Sequence, residues 1–233
     1  MPSTFVVIPT YNEKDNLPIL VQKIFDLKIS DLRLIIVDDN SPDGTGKIAE
    51  DLAMKYPIRV IHREKKEGLG KAYVAAFKEI LSKDEAMFVI QMDADLSHDP
   101  AVIPAMLEKI QNCDLVIGSR YIPGGQTVNW DFFRKLISRF GNSYARVVLG
   151  LPYRDLTGGF KCWRSEVLGK IDLDSLSSTG YNFQIETTYK AHPLGYKINE
   201  IPITFVERKV GKSKFNLGII LESFWKVLLL RFY

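Results

Sequence analysis

Unbroken apolar runs alternate with helical periodicity through the first half of the chain. Residues 5–8 form a short run that stops at Pro9. Leu17, Leu20, Val21, Ile24 and Phe25 then recur at the spacing of one helix face. Residues 32–37 are a second, almost wholly apolar run, as a strand buried on both faces requires. It ends in Asp38-Asp39-Asn40-Ser41-Pro42-Asp43-Gly44, a dense turn signal. The pattern next predicts a helix to about Tyr56, a strand over 59–62, a helix over 70–81, and strands over 87–92 and 115–118. This β-α-β-α order predicts an α/β fold with an open, mostly parallel sheet and helices on both faces.

The second half is less regular. Residues 132–149 read as a helix carrying Arg134, Lys135, Arg139 and Arg146. Residues 155–161 read as a glycine-containing turn and 181–191 as a helix. A strand over 196–205 is interrupted by Pro202. No repeat, low-complexity stretch or linker appears, so a single domain is expected over 1–233.

Composition adds limits. The chain has 233 residues, 46% of them hydrophobic, enough for a sizeable core. A net charge of +3 does not call for nucleic acid. Cys113 and Cys162 are too few for a disulfide framework and read as reduced thiols. The N-terminus lacks the pattern of a signal peptide, and no 18-residue uncharged apolar stretch occurs. A cytosolic enzyme is the expectation.

The chemistry gathers where strands end. In open α/β sheets ligands sit beyond the carboxyl ends of the strands. Tyr11-Asn12-Glu13, Asp38-Asp39 and Asp93-Ala94-Asp95 follow the first, second and fourth predicted strands. Asp93 and Asp95, two residues apart at a strand end, suit Mg²⁺ or Mn²⁺ with bound diphosphate oxygens. The plain alternative is an acidic turn before a helix start at Asp99-Pro100. Asp39-x-Ser41-x-Asp43-Gly44 with Glu50 imitates a calcium loop. It follows a strand, not a helix, and contains Pro42, so a turn whose carboxylates face a base or ribose is the better reading. Glu67-Gly68-Leu69-Gly70-Lys71 opens a helix without P-loop spacing, leaving phosphate contact or a plain entry turn. Arg208 and Lys214 flank Gly211 in a basic segment suited to closing over a diphosphate. Residues 215–233 are richly apolar around Glu222, Ser223 and Lys226. They predict a C-terminal amphipathic helix, packed on the protein or laid in a membrane interface with Trp225, Phe232 and Tyr233.

These segments together resemble the family 2 glycosyltransferases, and within them the dolichyl-phosphate (polyprenyl-phosphate) mannose synthases. The resemblance rests on Pro9-Thr10-Tyr11-Asn12-Glu13, on 37–45 and on Met92-Asp93-Ala94-Asp95-Leu96-Ser97-His98. It also rests on Gly118-Ser119-Arg120-Tyr121, Asp155-Leu156-Thr157-Gly158-Gly159-Phe160 and Phe205-Val206-Glu207-Arg208. It implies a GT-A, Rossmann-like fold, with a nucleotide-binding part over about 1–120 and an acceptor- and membrane-facing part over about 121–233. It implies transfer of mannose from GDP-mannose to dolichyl or polyprenyl monophosphate, with inversion. Pro9, Tyr11, Glu13, Val37 and Asp39 would line the nucleoside site. Asp93, Ala94 and Asp95 would hold the metal and diphosphate. Arg120, Arg208 and Lys214 match family positions that bind donor or acceptor phosphates. Arg134 is the looser match, for the acceptor phosphate. Asp95, Arg120, Arg208 and Lys214 form the expected catalytic set. Ser97 stands where some members carry a further metal ligand, Gln, so more water is expected in the metal's shell. Some relatives continue into transmembrane helices. The resemblance therefore implies peripheral attachment on the cytoplasmic face of a membrane, directly or through a small anchoring subunit. The competing readings are UDP-glucose as donor, a non-catalytic nucleotide-binding subunit and a calcium-binding module.

Overall fold

The computed structural model describes residues 3–83, 86–178, 180–207 and 217–232, with the backbone alone for 217–222. The expected Arg208 and Lys214 lie outside the described residues.

The first half builds the predicted alternation. Strand β1 (Thr4–Thr10) leads to helix α1 (Leu17–Asp26), β2 (Leu32–Asp38) to α2 (Thr45–Ala53), and β3 (Ile58–His62) to α3 (Leu69–Lys83). Then come β4 (Phe88–Gln91), α4 (Ile103–Lys109) and β5 (Leu115–Ser119). Beyond lie β6 (Gln126–Val128), α5 (Phe132–Leu149), β7 (Lys161–Arg164) and α6 (Ser165–Lys170). The chain continues through α7 (Tyr181–Ala191), β8 (Ile198–Pro202), β9 (Thr204–Val206) and α8 (Leu217–Leu230).

Seven strands form one sheet in the order β3-β2-β1-β4-β7-β5-β8, parallel except for β7. Two cores cover its faces, which is why the central strands are apolar throughout. Alternation along β1 divides them. Val6 and Ile8 join a core closed by α1, α2 and α4, while Phe5 and Val7 join one closed by α3, α5, α6 and α7.

Two segments depart from the sequence pattern. The expected turn over 155–161 runs into β7, which pairs antiparallel with both β4 and β5. Its first residue, Lys161, is fully buried, which a polarity pattern reads as exposed. Its Nζ donates to the Gln184 carbonyl (2.6 Å) and to the Thr188 (2.9 Å) and Thr187 (3.4 Å) hydroxyls. The expected strand over 196–205 splits at Pro202. β8 stays in the main sheet, while β9 leaves it to pair with β6. This small second sheet lies against the loop after β4, through a His98–Phe205 bridge and a Val206 N–H to Ser97 carbonyl bond of 3.2 Å.

Candidate active site

A cleft of about 330 Å³ runs along the carboxyl ends of β1, β2 and β4 and continues between α5 and α8. It has a polar end beyond β1 and β2, an acidic middle and an apolar mouth.

Register creates the first end. Thr10 pairs with Asp38, so the residues beyond both strands emerge side by side. Asn12 and Asn40 both turn the chain through the left-handed region, at φ of 61° and 59°. Asn tolerates that conformation better than most residues. Pro9, Tyr11, Glu13 and Asp39 all line the cleft, as expected. Asp39 also ties the loop before α3 to β2, accepting from Gly68 N–H (2.8 Å) and from Arg63 (2.7 Å). Asp43 turns instead to Thr45, through its N–H (3.0 Å) and hydroxyl (2.6 Å), so the two carboxylates of the imitation calcium loop serve different partners. Val37 is an exception to the expected lining. Its side chain is fully buried in the core with Phe5, Val7 and Ile35 and does not line the cleft, because strand alternation turns it inward.

The glycine segment before α3 divides between two roles. Gly68 and Leu69 line the cleft. Gly70 packs: a Cβ there would come within 2.8 Å of the Ser178 carbonyl and 2.9 Å of the Phe183 ring. Lys71 pairs with Glu67 at 3.1 Å on the exposed side.

Asp93, Ala94 and Asp95 line the middle of the cleft. Leu96 sits at φ 61°, unusual for a bulky residue, and reverses the chain so that Ser97 N–H returns to Asp95 Oδ1 at 3.1 Å. The Asp93 N–H donates to His98 Nδ1 at 3.3 Å. Burial drives the His98 pKa down to about 4, with Asp95 and Asp155 opposing and Arg120 reinforcing the shift. The ring is therefore neutral with its proton on Nε2, and it braces the acidic turn between Phe160 and Phe205. Burial, then the charges of Asp93 and Asp95, push the Tyr73 hydroxyl well above its ordinary range. Two carboxylates thus act on one small region. Among the described residues no group of three or more His, Cys, Asp or Glu side chains is arranged as a metal site. Two carboxylates fit a hard octahedral cation that takes its other ligands from a diphosphate and water. Ser97 does not line the cleft, and its Oγ is buried without a partner among the described residues.

Arg120 and Arg134 both reach the cleft, but as members of pairs. Arg120 grips the buried Asp155 with Nε and Nη2, both at 2.7 Å, and Nη2 also donates to Thr157 at 2.8 Å. Burial pulls its pKa down most strongly, but the charge and hydrogen bonds of Asp155, with Tyr121 and Tyr181, together outweigh it, and the net shift is upward. Arg134 is paired with Glu207 and lies over the Trp130 ring, 4.3 Å from its centre. Sequence reasoning missed Lys66, which lies over the Tyr11 ring at 3.5 Å and lines the cleft. It also missed the roles of His98 and Asp155, although both lie inside quoted motifs. Asn182 and Gln184 had no sequence signal beyond a polar start to a helix.

The mouth is formed by Ile137, Gly141 and Tyr144 of α5 with Phe224 and Val227 of α8. Tyr144 and Phe224 meet edge to face at 4.6 Å. The outer side of α5 exposes Phe132, Phe133, Leu136 and Phe140, and α8 exposes Trp225. Val227 is buried, so the C-terminal helix both packs on the protein and shows an apolar side. Among the described residues no helix is long and apolar enough to cross a membrane.

Comparison with known proteins places this geometry. The chain is 45% identical over 218 residues to an undecaprenyl-phosphate mannosyltransferase of Micrococcus luteus, covering 93% of this chain and 89% of the relative. It is 44% identical over 227 residues to a polyprenol monophosphomannose synthase of Mycolicibacterium smegmatis, covering 96% and 85%. A glucosyl-3-phosphoglycerate synthase from Mycobacterium tuberculosis, solved with Mn²⁺, UDP and glucosyl-3-phosphoglycerate, superposes with a TM-score of 0.72 at 20% identity. That match covers 99% of this chain and 80% of the other, and it shows the shared fold. The family profile described as "Glycosyl transferase family 2" matches residues 5–172. The chain belongs to the family 2 glycosyltransferases.

Proposed function

We propose that this protein transfers mannose from GDP-mannose to a polyprenyl or dolichyl monophosphate, with inversion, at the cytoplasmic face of a membrane. One observation carries the reading: the acidic strand-end turn and the apolar mouth between α5 and α8 belong to a single cleft, and the outer side of the same α5 exposes aromatics. A nucleotide sugar and a lipid phosphate need those two ends. The two relatives, at 44–45% identity, are named for mannose and polyprenyl phosphate, which supports this substrate pair.

The acceptor phosphate oxygen is already ionised near neutral pH, so no strong general base is required. It forms a bond to the anomeric carbon as the bond to the nucleoside diphosphate breaks, and the diphosphate carries the electron pair away. A divalent cation held by Asp93 and Asp95 would stabilise that departing charge. Pro9, Tyr11, Glu13 and Asp39 orient the nucleoside, and Lys66 adds positive charge beside Tyr11. Arg120 keeps Nη1 for a phosphate while Asp155 fixes its plane. Arg134, beside Trp130, stands nearer the mouth, where the acceptor enters. Arg208 and Lys214 would close on the diphosphate, as the family resemblance implies. The exposed aromatics of α5, interspersed with Lys135, Arg139 and Arg146, suit an anionic lipid surface.

The test is a screen of GDP-mannose and UDP-glucose against undecaprenyl and dolichyl phosphate, with Mg²⁺ or Mn²⁺. Turnover of GDP-mannose with a lipid phosphate, abolished in Asp95→Ala, is the expected result. Exclusive use of UDP-glucose, or full activity of Asp95→Ala, overturns the reading.

A further inference from the structure

A chain of buried amides lies under the cleft. The Trp163 indole Nε1–H donates to Gln91 Oε1 at 2.6 Å. Indole nitrogen is only a donor, so it fixes which end of Gln91 is oxygen. Gln91 Nε2 then faces Gln184 Oε1 at 3.4 Å. That in turn fixes Gln184, whose Nε2 is the end left over. Gln184 is 1% exposed and lines the cleft, and its Nε2 has no partner among the described residues. A buried donor left without an acceptor destabilises the fold unless something bound meets it. The fold aims this one with two further buried residues.

Its surroundings suggest what it meets. A Cβ on Gly159 would come within 3.4 Å of Gln184 Nε2 and 3.5 Å of Asp93 Oδ1. Gly159 also lines the cleft, so the missing side chain leaves room between the amide and the acidic turn. If the diphosphate is held at Asp93 and Asp95, the next group along the donor is the sugar. It then lies over Gly159, away from the nucleoside end at Pro9 and Tyr11.

We propose that Gln184 is a specificity-determining residue for the transferred sugar. Its Nε2–H, oriented by Gln91 and Trp163, donates to one hydroxyl oxygen of the hexose. This rests on the glycosyl-transfer reading above. Gln91 and Trp163 are positioning residues, acting only through Gln184. A site built to bond a hydroxyl rejects the analogue that lacks it, because the protein donor is then left unpaired.

The experiment measures kcat/KM for GDP-mannose and its 2-, 3-, 4- and 6-deoxy analogues, with undecaprenyl phosphate as acceptor, on wild type and Gln184→Met. In wild type one deoxy donor should lose about 10- to 100-fold, while in Gln184→Met that same loss should shrink to about twofold or less. Gln91→Leu should weaken the same discrimination without creating a new one. A residue of purely structural importance would instead lower every donor equally. The same deoxy pattern in wild type and variant overturns the proposal, as does a rise confined to the acceptor KM. Should Gln184→Met fail to fold, the wild-type series still decides, since no deoxy donor losing more than about twofold also overturns it. Absence of turnover by wild type with any nucleotide hexose removes the glycosyl-transfer reading and this proposal together.

Discussion

Asp155 is the residue on which the site's charge balance turns. It is fully buried, and Arg120 spends two forked bonds and its own backbone N–H on it. Removing one partner of a buried pair leaves the other charge desolvated, which costs about 3–5 kcal/mol. Asp155→Ala should therefore lower unfolding free energy by about that amount in urea titrations, besides abolishing turnover. A loss under about 1 kcal/mol would mean that Arg120 finds water instead. Lys161 poses the complementary problem. Burial brings its pKa down to about 7, with Asp155 only partly opposing. Between pH 10.5 and 7 the unfolded chain binds a proton that the folded chain does not. Stability from this group is thus full above about pH 10.5 and is lost as pH falls toward 7. Lys161→Met should be tolerated, because the Thr187 and Thr188 hydroxyls already donate to helix carbonyls. Its advantage over wild type should grow as pH drops through that window, by up to roughly 1.4 kcal/mol per pH unit. Parallel stability curves for the two proteins would refute the depressed pKa.

Elements were legible where a single force decided them. Apolar runs and helix spacing located β1 to β5 and α5 and α7, and strand ends located the acidic turn. β7 was hidden because its polar first residue is buried by a bonding network that joins distant segments. Val37 was misplaced because a motif position says nothing about which face a strand turns inward. Among motif residues, Asp155 and His98 were quoted without a role, since their partners Arg120 and Asp93 are met only in three dimensions. Helix α5 shows the reverse case, where the sequence pattern anticipated basic residues but gave no reason for the outward aromatics. Phe132 and Phe133 are each 73% exposed. A soluble surface gains nothing from two adjacent exposed phenylalanines. Replacing both with Ser should reduce flotation with anionic vesicles about tenfold or more, since each buried aromatic contributes roughly 1.5–3 kcal/mol. Turnover of a short, water-soluble polyprenyl phosphate should change little. Equal loss on both acceptors would assign the pair to folding or to the cleft instead.

At the scale of the whole molecule, nucleotide and metal should bind as one event. The strand-end turn offers two carboxylates, and a small divalent cation prefers six oxygen ligands. Without nucleotide the remaining ligands are water, and affinity is set by two charges in an open cleft. With GDP the diphosphate supplies further anionic oxygens. The coupling is reciprocal by thermodynamic necessity, so each ligand tightens the other by the same factor. A coupling of about 1–3 kcal/mol, or roughly 5- to 150-fold, is the usual range. Titration calorimetry should show Mn²⁺ binding weakly alone and tighter by that factor with saturating GDP, and GDP should tighten equally with Mn²⁺. The same linkage should raise the unfolding temperature more for the two together than for the sum of each alone. Asp95→Ala should remove the coupling while leaving weak GDP binding to Pro9, Tyr11 and Asp39. Tight Ca²⁺ binding independent of GDP would point to the calcium-module reading, and equal Mn²⁺ affinity with and without GDP would deny the acidic turn its place beside the leaving group.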